Sequence, residues 1–292
     1  MDILTYAWIY REALMIKNTY NGVEYLTFEN IGRIPGIRHA FSTRIGGVSR
    51  GIYSSMNLGY TRGDVRENVD ENFRRMAGVL GCSPGDLVTG VQTHTVNVRL
   101  VTADDAGKGV TRPTGYNDVD GLITAQPGLV LTTFYADCVP LFFVDPVNRA
   151  IGLSHSGWRG TVNRMGRVTI KAMHDNFGTD PSDLICAIGP SICMDCYEVS
   201  EDVADEFIKE FPGCLLTAGD TLDEHKFLMS KGHDKYLLDL RAANRLIMLE
   251  SGVPEGNIEM PGICTCCNPN YLFSHRASNG KRGNMAGFLG II

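Results

Sequence analysis

Apolar positions recur along this chain at two spacings, and each spacing predicts one type of element. Between Asp64 and Gly81 apolar side chains return at close to the helical period, which predicts a helix capped by Asp64 and ended by Gly81. Continuous apolar runs predict strands at residues 129–134, 150–154 and 184–188, with a further strand near Phe273. Near the start, Asn21-Gly22 between β-rich flanks is typical of a hairpin turn.

Three more helices are predicted in the second half of the chain. The first follows Gly160 and continues through Phe177, with apolar residues spread too evenly for a thin stripe. The others cover residues 200–211, capped by Ser200, and residues 237–251, ahead of Gly252. Strands and helices do not alternate regularly, and no linker-like stretch interrupts them. The pattern predicts an α+β fold in which residues 1–292 form a single domain.

Composition and charge narrow the class of partner. The chain has 292 residues, 43% of them hydrophobic, which is enough to bury a large core. Its formal net charge of -6 argues against a nucleic-acid or anionic-membrane surface, because such binding needs a clustered positive field. A small anion can still bind through local arginines. No basic segment precedes an apolar core at the N-terminus, and no apolar run is long enough to span a bilayer. We therefore expect a cytoplasmic location.

Two histidines and one cysteine lie close to predicted strand ends. Cys138 follows residues 129–134, His155 follows residues 150–154, and His94 lies in a similar short segment. Side chains at the ends of neighbouring strands project from one edge of a sheet, so the three can converge. Imidazole and thiolate are ligands that Zn²⁺ prefers, and three of them leave a fourth position for water or substrate. Their separations match no compact metal motif, so spacing alone leaves buried histidines and an inert cysteine as the alternative.

Short motifs spread over nearly the whole chain carry a resemblance. They are FSTRIGGVS at 41–49, QTH at 92–94, DVDG at 118–121, ADCVP at 136–140, HSGWRG at 155–160, IGPSI at 188–192, CYEV at 196–199 and FSHR at 273–276. In this order they are similar to the YfiH-type family. Its members are labelled laccase-domain or multicopper polyphenol oxidoreductases, and also purine nucleoside phosphorylases. His275 stands where tyrosine is more usual in that family, so it is not counted as a metal ligand.

The resemblance implies a fold, an activity and a set of residues. The fold would be a layered sandwich of mixed β-sheets flanked by helices, like the catalytic domain of cytotoxic necrotizing factor, a cysteine deamidase. The activity would be zinc-dependent phosphorolysis of adenosine, inosine, guanosine and methylthioadenosine, with adenosine deamination as a companion, so purine nucleosides and phosphate are the expected partners. His94, Cys138 and His155 would bind the zinc and, together with Arg44, form the catalytic set. Copper is a possible adventitious occupant of the same ligands.

Three polar residues within or near these motifs are candidates for substrate binding. Arg44 precedes the Gly46-Gly47 turn, where glycines let the backbone approach a ligand and a guanidinium can hold phosphate with two parallel hydrogen bonds. Asn57 offers a donor and an acceptor to a base edge or a ribose hydroxyl. Arg159 opens the helix after Gly157, where it either attracts an anion or forms a salt bridge that orients the His155 loop.

Two aspartates before the predicted strand at 122–124 have two equally weighted interpretations. Asp118 and Asp120 can accept hydrogen bonds from the metal-free nitrogens of His94 or His155, or they can be turn residues. Asp137 would point to the opposite face from Cys138 if the segment is extended.

The nine cysteines form an odd set, and we interpret them as reduced thiols rather than as a disulfide framework. Cys193 and Cys196 form a CxxC pair, and Cys264, Cys266 and Cys267 form a CxCC group. These two groups can bind a structural zinc. The alternative is a pair of thiol-rich loops that merely lie near each other.

Other functions fit parts of the pattern. Laccase chemistry is excluded, because a multicopper oxidase needs paired imidazoles and this chain has seven histidines and no His-X-His. A second hypothesis is a Cys138 thiolate nucleophile with His155 as base, which would give an amidase or deamidase acting on peptidoglycan precursors. A third is a zinc-stabilised binding module without catalysis.

Overall fold

The computed structural model describes residues 15–217, 220 and 225–292. Mixed β-structure dominates this part of the chain. The strands are β1 (Ile16–Tyr20), β2 (Val23–Thr27), β3 (Ile37–Ser42), β4 (Leu87–Thr89), β5 (Val98–Leu100), β6 (Gly121–Thr124), β7 (Val130–Tyr135), β8 (Val139–Asp145), β9 (Ala150–Ser156), β10 (Ile185–Ile188), β11 (Glu198–Ser200), β12 (Leu215–Leu216), β13 (Leu228–Gly232), β14 (Lys235–Leu238), β15 (Ile258–Glu259) and β16 (Met285–Ile291).

Six α-helices accompany these strands in the described ranges: α1 (Glu29–Gly32), α2 (Arg66–Leu80), α3 (Trp158–Val162), α4 (Met165–Phe177), α5 (Glu201–Glu210) and α6 (Leu240–Glu250). Within those ranges, none of the helices has the length and apolar character needed to cross a membrane.

Two six-stranded sheets face each other, with helices on both outer sides. The first sheet has the order β1-β2-β3-β16-β7-β4 and the second the order β15-β10-β8-β9-β6-β5. Helix α2 packs on the first sheet, while α4 and α6 pack on the second. A small sheet, β11-β14-β13-β12, lies beyond α5. Both large sheets combine antiparallel and parallel pairs, so the predicted α+β sandwich of mixed sheets is confirmed.

The central strands are buried on both faces because they lie between a sheet and a helical layer. All seven residues of β8 are buried. Leu141 and Phe143 belong to the cluster under the helices, whereas Phe142 and Val144 belong to the cluster between the two sheets. The two-residue period of the strand therefore supplies both cores from one apolar run.

Several local predictions are confirmed. The Asn21-Gly22 turn joins the antiparallel pair β1 and β2, with positive φ at both turn residues. Helix α2 ends at Leu80, ahead of Gly81 as predicted, and the Gly81 φ of 67° is the left-handed conformation that glycine adopts without strain. The predicted cap at Asp64 is wrong, because Val65 is the N-cap residue and the Asp64 Oδ1 accepts from the Val65 N–H instead of from the first turn of the helix. Helix α5 follows Ser200 as expected, although the Ser200 hydroxyl donates to Asp202 rather than capping the backbone.

Three element predictions are wrong. The helix expected from Gly160 through Phe177 is two helices, α3 and α4, because Arg164 adopts a left-handed φ of 57° between them. The helix expected from residue 237 begins at Leu240, where Asp239 caps it by accepting from two backbone N–H groups. Phe273 lies in an irregular segment rather than a strand, and the last strand is instead β16. The first two errors concern where a helix breaks or begins, and both depend on the conformation or cap of a single residue.

Candidate active site

His94, Cys138 and His155 lie together. One possible ligand atom from each residue lies within 4.8 Å of those of the other two. The Cys138 Sγ is 3.8 Å from the His94 Nε2, and the two imidazole rings have centroids 5.0 Å apart. Tetrahedral zinc with ordinary bond lengths would place a sulfur and a nitrogen ligand about 3.6 Å apart. The cluster therefore has the donor types and the spacing of a metal site.

The connection between the two large sheets positions these side chains. Cys138 lies in the turn where β7 of the first sheet leads into β8 of the second. His155 is in β9, opposite Pro140 in the pairing of β8 with β9. His94 is in the loop between β4 and β5 and has a φ of 67°. A Cβ at Gly157 would lie 2.8 Å from the His94 ring and 3.2 Å from the Cys138 Sγ, so glycine is needed there.

Asp120 orients both histidines. Its side chain is fully buried, and Oδ1 lies 2.7 Å from the His155 Nδ1, which leaves Nε2 as the nitrogen available to a ligand. The same carboxylate accepts from the backbone N–H groups of Thr93, His94 and Thr95 at 2.9–3.1 Å, so it also shapes the His94 loop. Of the two interpretations weighed for the aspartates, Asp120 is the hydrogen-bonding partner of a histidine.

Asp118 is the turn aspartate. Its φ is 61°, and its carboxylate accepts from the Thr93 hydroxyl and, at 3.0 Å, from the Asn97 amide. The segment at Asp137 is bent, with a φ of 93°, and the Asp137 carboxylate turns away to accept from the Thr265 hydroxyl.

The charges of Cys138 and His155 depend on each other. Burial raises the pKa of the Cys138 thiol, but the neighbouring His155 and His94 stabilise the thiolate and bring that pKa down to about 6. For His155, burial lowers the pKa, while Cys138 and Asp120 stabilise the imidazolium and raise the pKa to about 9. Without a metal the two groups thus form a thiolate–imidazolium pair at neutral pH.

A cavity of about 300 Å³ opens beside the cluster. This is at the lower end of the range of roughly 300–1,000 Å³ that is usual for small-molecule sites. Aromatic residues, a glutamine, an asparagine and two arginines line it, and His94, Cys138 and His155 form part of the same wall. The aromatic and polar lining residues that matter below are Tyr60, Arg62, Gln92, Phe134, Tyr135, Arg282 and Asn284.

Arg62 and Arg282 are the cavity residues that sequence reasoning missed. Arg282 is buried to 9% exposure, and its Nε lacks a hydrogen-bond partner among the described residues. Burial, followed by the charge of Arg62, lowers the pKa of Arg282 to about 10, so the guanidinium stays charged at neutral pH. The sequence feature that could have identified Arg282 is its position in Lys281-Arg282-Gly283, just before the last strand. A guanidinium beside glycine at a strand start is easily taken for an ordinary turn.

Arg44 lies elsewhere and does not line the cavity. Its Nε donates to the Ser54 carbonyl at 3.0 Å and its Nη1 to the Pro269 carbonyl, while the guanidinium stacks 4.4 Å from the Phe273 ring. Backbone carbonyls therefore accept from two of the five N–H donors of this guanidinium. Gly46 is also structural, because a Cβ there would lie 2.3 Å from the Gly22 carbonyl oxygen rather than against a ligand space.

Asn57 and Arg159 also lie outside the cavity lining. Asn57 is fully buried, and its Oδ1 accepts at 2.9 Å from the N–H groups of both Gly59 and Asn284. Its Oδ1 therefore holds two lining residues, Gly59 and Asn284, in place. Arg159 is exposed and lies 4.2 Å above the Trp158 ring. The structure does not bring these two residues to the metal-ligand cluster.

Comparison with known proteins gives the site a family context. Residues 38–292 match the family model described as multi-copper polyphenol oxidoreductase laccase. The purine nucleoside phosphorylase YlmD of Bacillus subtilis is 36% identical over 253 residues, which cover 86% of this chain and 87% of that protein.

Comparison with solved structures gives the same family. The YfiH protein of Bacillus licheniformis superposes with a TM-score of 0.85 at 31% identity, covering 94% of this chain and 99% of the other. YlmD of Geobacillus stearothermophilus gives a TM-score of 0.83 at 33% identity, covering 94% and 97%. This chain therefore belongs to the YfiH-like family whose model is described as multi-copper polyphenol oxidoreductase laccase.

Proposed function

We propose that this protein is a zinc-dependent purine nucleoside phosphorylase. The observation that carries the proposal is one cavity that combines a His-Cys-His cluster with two arginines and an aromatic wall. The names of relatives at 36% and 35% identity support the activity. Adenosine, inosine, guanosine and methylthioadenosine are the proposed nucleosides, and adenosine deamination is the proposed companion reaction.

The donor set fits zinc. His94, Cys138 and His155 would hold the ion, with Asp120 keeping the His155 Nδ1 occupied and its Nε2 directed to the metal. When bound, zinc would act as a Lewis acid and lower the pKa of a coordinated water to about 7. The cluster contains only two imidazoles, so it offers no counterpart to the paired histidines of a multicopper oxidase. Zinc is therefore preferred over copper as the working ion.

Replacement of Asp120 by asparagine should lower zinc affinity by roughly 10–100-fold, the usual cost of losing a carboxylate that orients a metal-binding histidine. The asparagine side chain has the same volume as that of Asp120. However, its NH₂ group would face one of the N–H groups that now donate to the Asp120 carboxylate. Competition with a chromophoric chelator measures the affinity. Asp118→Asn is the matched control and should change affinity by no more than about 3-fold, since Asp118 serves the turn. Equal affinities in both variants would remove the positioning role of Asp120.

Arg282 and Arg62 would bind phosphate. The Arg282 guanidinium is buried, its Nη1 donates to the Gly283 carbonyl and the Asn284 Oδ1, and its Nε has no hydrogen-bond partner among the described residues. Burial of a charge is costly, and a bound anion would relieve that cost. Guanidinium groups also suit phosphate geometry, because they donate parallel hydrogen bonds. The aromatic residues Tyr60 and Phe134 offer apolar surface to a purine. In this arrangement the arginines hold phosphate near the sugar while charge develops on the ribose.

Chromatography of the products from adenosine, with and without phosphate, tests the function directly. Phosphate-dependent adenine and ribose-1-phosphate are the expected products of phosphorolysis. Phosphate-independent inosine is the expected product of deamination. Adenosine that returns unchanged from zinc-loaded protein under both conditions would overturn the proposal.

A cysteine amidase is the second candidate. Asp120 is hydrogen-bonded to His155, the Cys138 Sγ lies within 4.8 Å of a His155 ring nitrogen, and the pKa of the thiol is lowered. This arrangement also suits a nucleophile, its base and an orienting carboxylate. Chelation separates the two functions. Loss of turnover on chelation and recovery with zinc supports the metalloenzyme, whereas a chelator-resistant activity abolished by iodoacetamide supports the amidase, with peptidoglycan precursors as substrates to test. Unfolding on chelation, without turnover of any nucleoside, would support a binding module.

A further inference from the structure

Four cysteine thiols form a second cluster outside the cavity lining. Cys193, Cys196, Cys264 and Cys267 place their Sγ atoms within 4.8 Å of one another. They belong to two CxxC pairs, 193–196 and 264–267, and this repeated spacing is typical of zinc ligands. Cys266 is not a member, so the sequence group that looked like CxCC acts as a CxxC pair.

The sulfur spacing decides between a metal site and a disulfide. The Cys196 and Cys267 sulfurs are 3.4 Å apart, and the Cys193 and Cys267 sulfurs are 3.9 Å apart. A disulfide would require about 2.05 Å, and all four cysteines are free. Four thiolates bound to zinc at about 2.3 Å would lie about 3.8 Å apart at the edges of a tetrahedron. The observed distances lie on either side of that value.

The backbone around the cluster is arranged as it would be around thiolate ligands. The N–H groups of Cys193 and Cys267 donate to the Cys264 Sγ at 3.2 and 3.4 Å. Such donors compensate the negative charge of a metal-bound sulfur. The two loops lie side by side, because the Thr265 N–H donates to the Ser191 carbonyl at 3.1 Å. Cys267 is exposed, so an ion can reach the cluster from solvent.

We propose that these four cysteines bind a structural zinc ion, at a site separate from His94, Cys138 and His155. The proposal does not rest on the proposed function, because its ligands, its loops and its readouts are different. Zinc at this position ties the loop after β10 to the loop that precedes β16, two segments that are more than 60 residues apart in the chain.

The cross-link supports the backbone next to Cys138. Asp137 accepts from the Thr265 hydroxyl and from the Arg276 N–H, each at 2.7 Å, and its carbonyl accepts from the Ile192 N–H at 3.0 Å. Thr265 lies between two of the cysteine ligands, and Ile192 directly precedes the first. Ordering both loops therefore orders the residue that precedes Cys138. The second zinc acts as a positioning device for the turn between β7 and β8.

Zinc counts in matched variants test the site. Native mass spectrometry of the full chain should find one zinc fewer in Cys267→Ser than in the wild type. Loss of a residue that hydrogen-bonds to a metal ligand lowers metal affinity by roughly 10–100-fold, and loss of the ligand itself should lower it further. Cys267→His should retain the ion, since histidine is also a zinc ligand and position 267 is exposed. Cys82→Ser, at a cysteine outside both clusters, should match the wild type.

The test compares the zinc count of each variant with that of the wild type, so a zinc ion in the cavity would add equally to both counts and would not change the difference. Cobalt-substituted protein gives a second readout: Cys267→Ser should lose the share of the thiolate-to-cobalt absorption that comes from the four-cysteine site, and Cys267→His should retain that share at a shifted wavelength. Any absorption from cobalt bound to Cys138 should be the same in both variants. Thermal unfolding should follow the same order, with Cys267→Ser melting first. An equal zinc count in Cys267→Ser and Cys82→Ser would overturn the proposal. So would an intact mass of the metal-free wild type lower by two hydrogens, with a Cys196–Cys267 disulfide in place of the ion.

Discussion

Cys138→Ala is expected to lower phosphorolysis of adenosine by about 10³-fold or more while the protein remains folded. In the proposed site the Cys138 thiolate is one of three zinc ligands, and its sulfur is 3.8 Å from the His94 Nε2. Alanine removes the sulfur without adding bulk at the turn between β7 and β8. Steady-state rates of adenine release measure the effect, and His94→Ala should give a loss of similar size.

Cys82→Ala is the matched control, because Cys82 is also partly buried but belongs to neither cysteine-containing metal cluster. It should keep the wild-type rate. Thermal unfolding of each variant checks that the fold is intact. Near-normal turnover in both Cys138→Ala and His94→Ala would contradict the assignment of the site, whatever the metal content of the variants.

Arg282→Gln should raise the KM for phosphate by about 10–100-fold, with a smaller change in the KM for the nucleoside. A hydrogen bond to a charged group contributes roughly 1.5–3 kcal/mol, which corresponds to that range. Glutamine keeps a polar side chain of similar reach but removes the charge. The measurement is the rate of adenine formation as a function of phosphate concentration at saturating adenosine.

Arg167→Gln serves as the control, since Arg167 is an exposed residue of α4 that does not line the cavity. Arg44→Gln tests whether phosphate binds at Arg44 instead. An increase in the KM for phosphate that appears in Arg44→Gln and not in Arg282→Gln would place the anion at Arg44, as the sequence first indicated. The expected effect of Arg44→Gln is instead on thermal stability, because Arg44 holds two backbone carbonyls and stacks on Phe273.

The sequence was most informative where a signal is local. Asn21-Gly22 encodes its own hairpin, and Gly81 ends α2 because only residues that tolerate a left-handed φ close a helix in this way. Motif resemblance identified His94, Cys138 and His155, which the structure brings to one place. These predictions needed only neighbouring residues or the order of motifs along the chain.

The residues that line the cavity were harder to predict, because the surroundings of each side chain depend on distant parts of the chain. Arg44 and Arg282 are both arginines close to glycines, but Pro269 supplies a carbonyl to the first. Arg282 lines the cavity instead; its Nη1 donates to the Gly283 carbonyl and the Asn284 Oδ1, and its Nε has no hydrogen-bond partner among the described residues. Asn57 looked like a substrate contact and is instead held by the backbone of Asn284, 227 residues away in the chain.

The amino-acid sequence by itself determined the fold class, the family and the three residues, His94, Cys138 and His155, that the structure brings together. Only the tertiary structure decided that Asp120 and not Asp118 orients His155, that Arg62 and Arg282 face the cavity, and that Cys266 stays outside the four-cysteine cluster. The physical reason is the range of the interactions. Helix caps and turns are satisfied within a few residues, whereas burial, charge pairing and metal-ligand geometry arise when the two sheets pack and bring separate loops together.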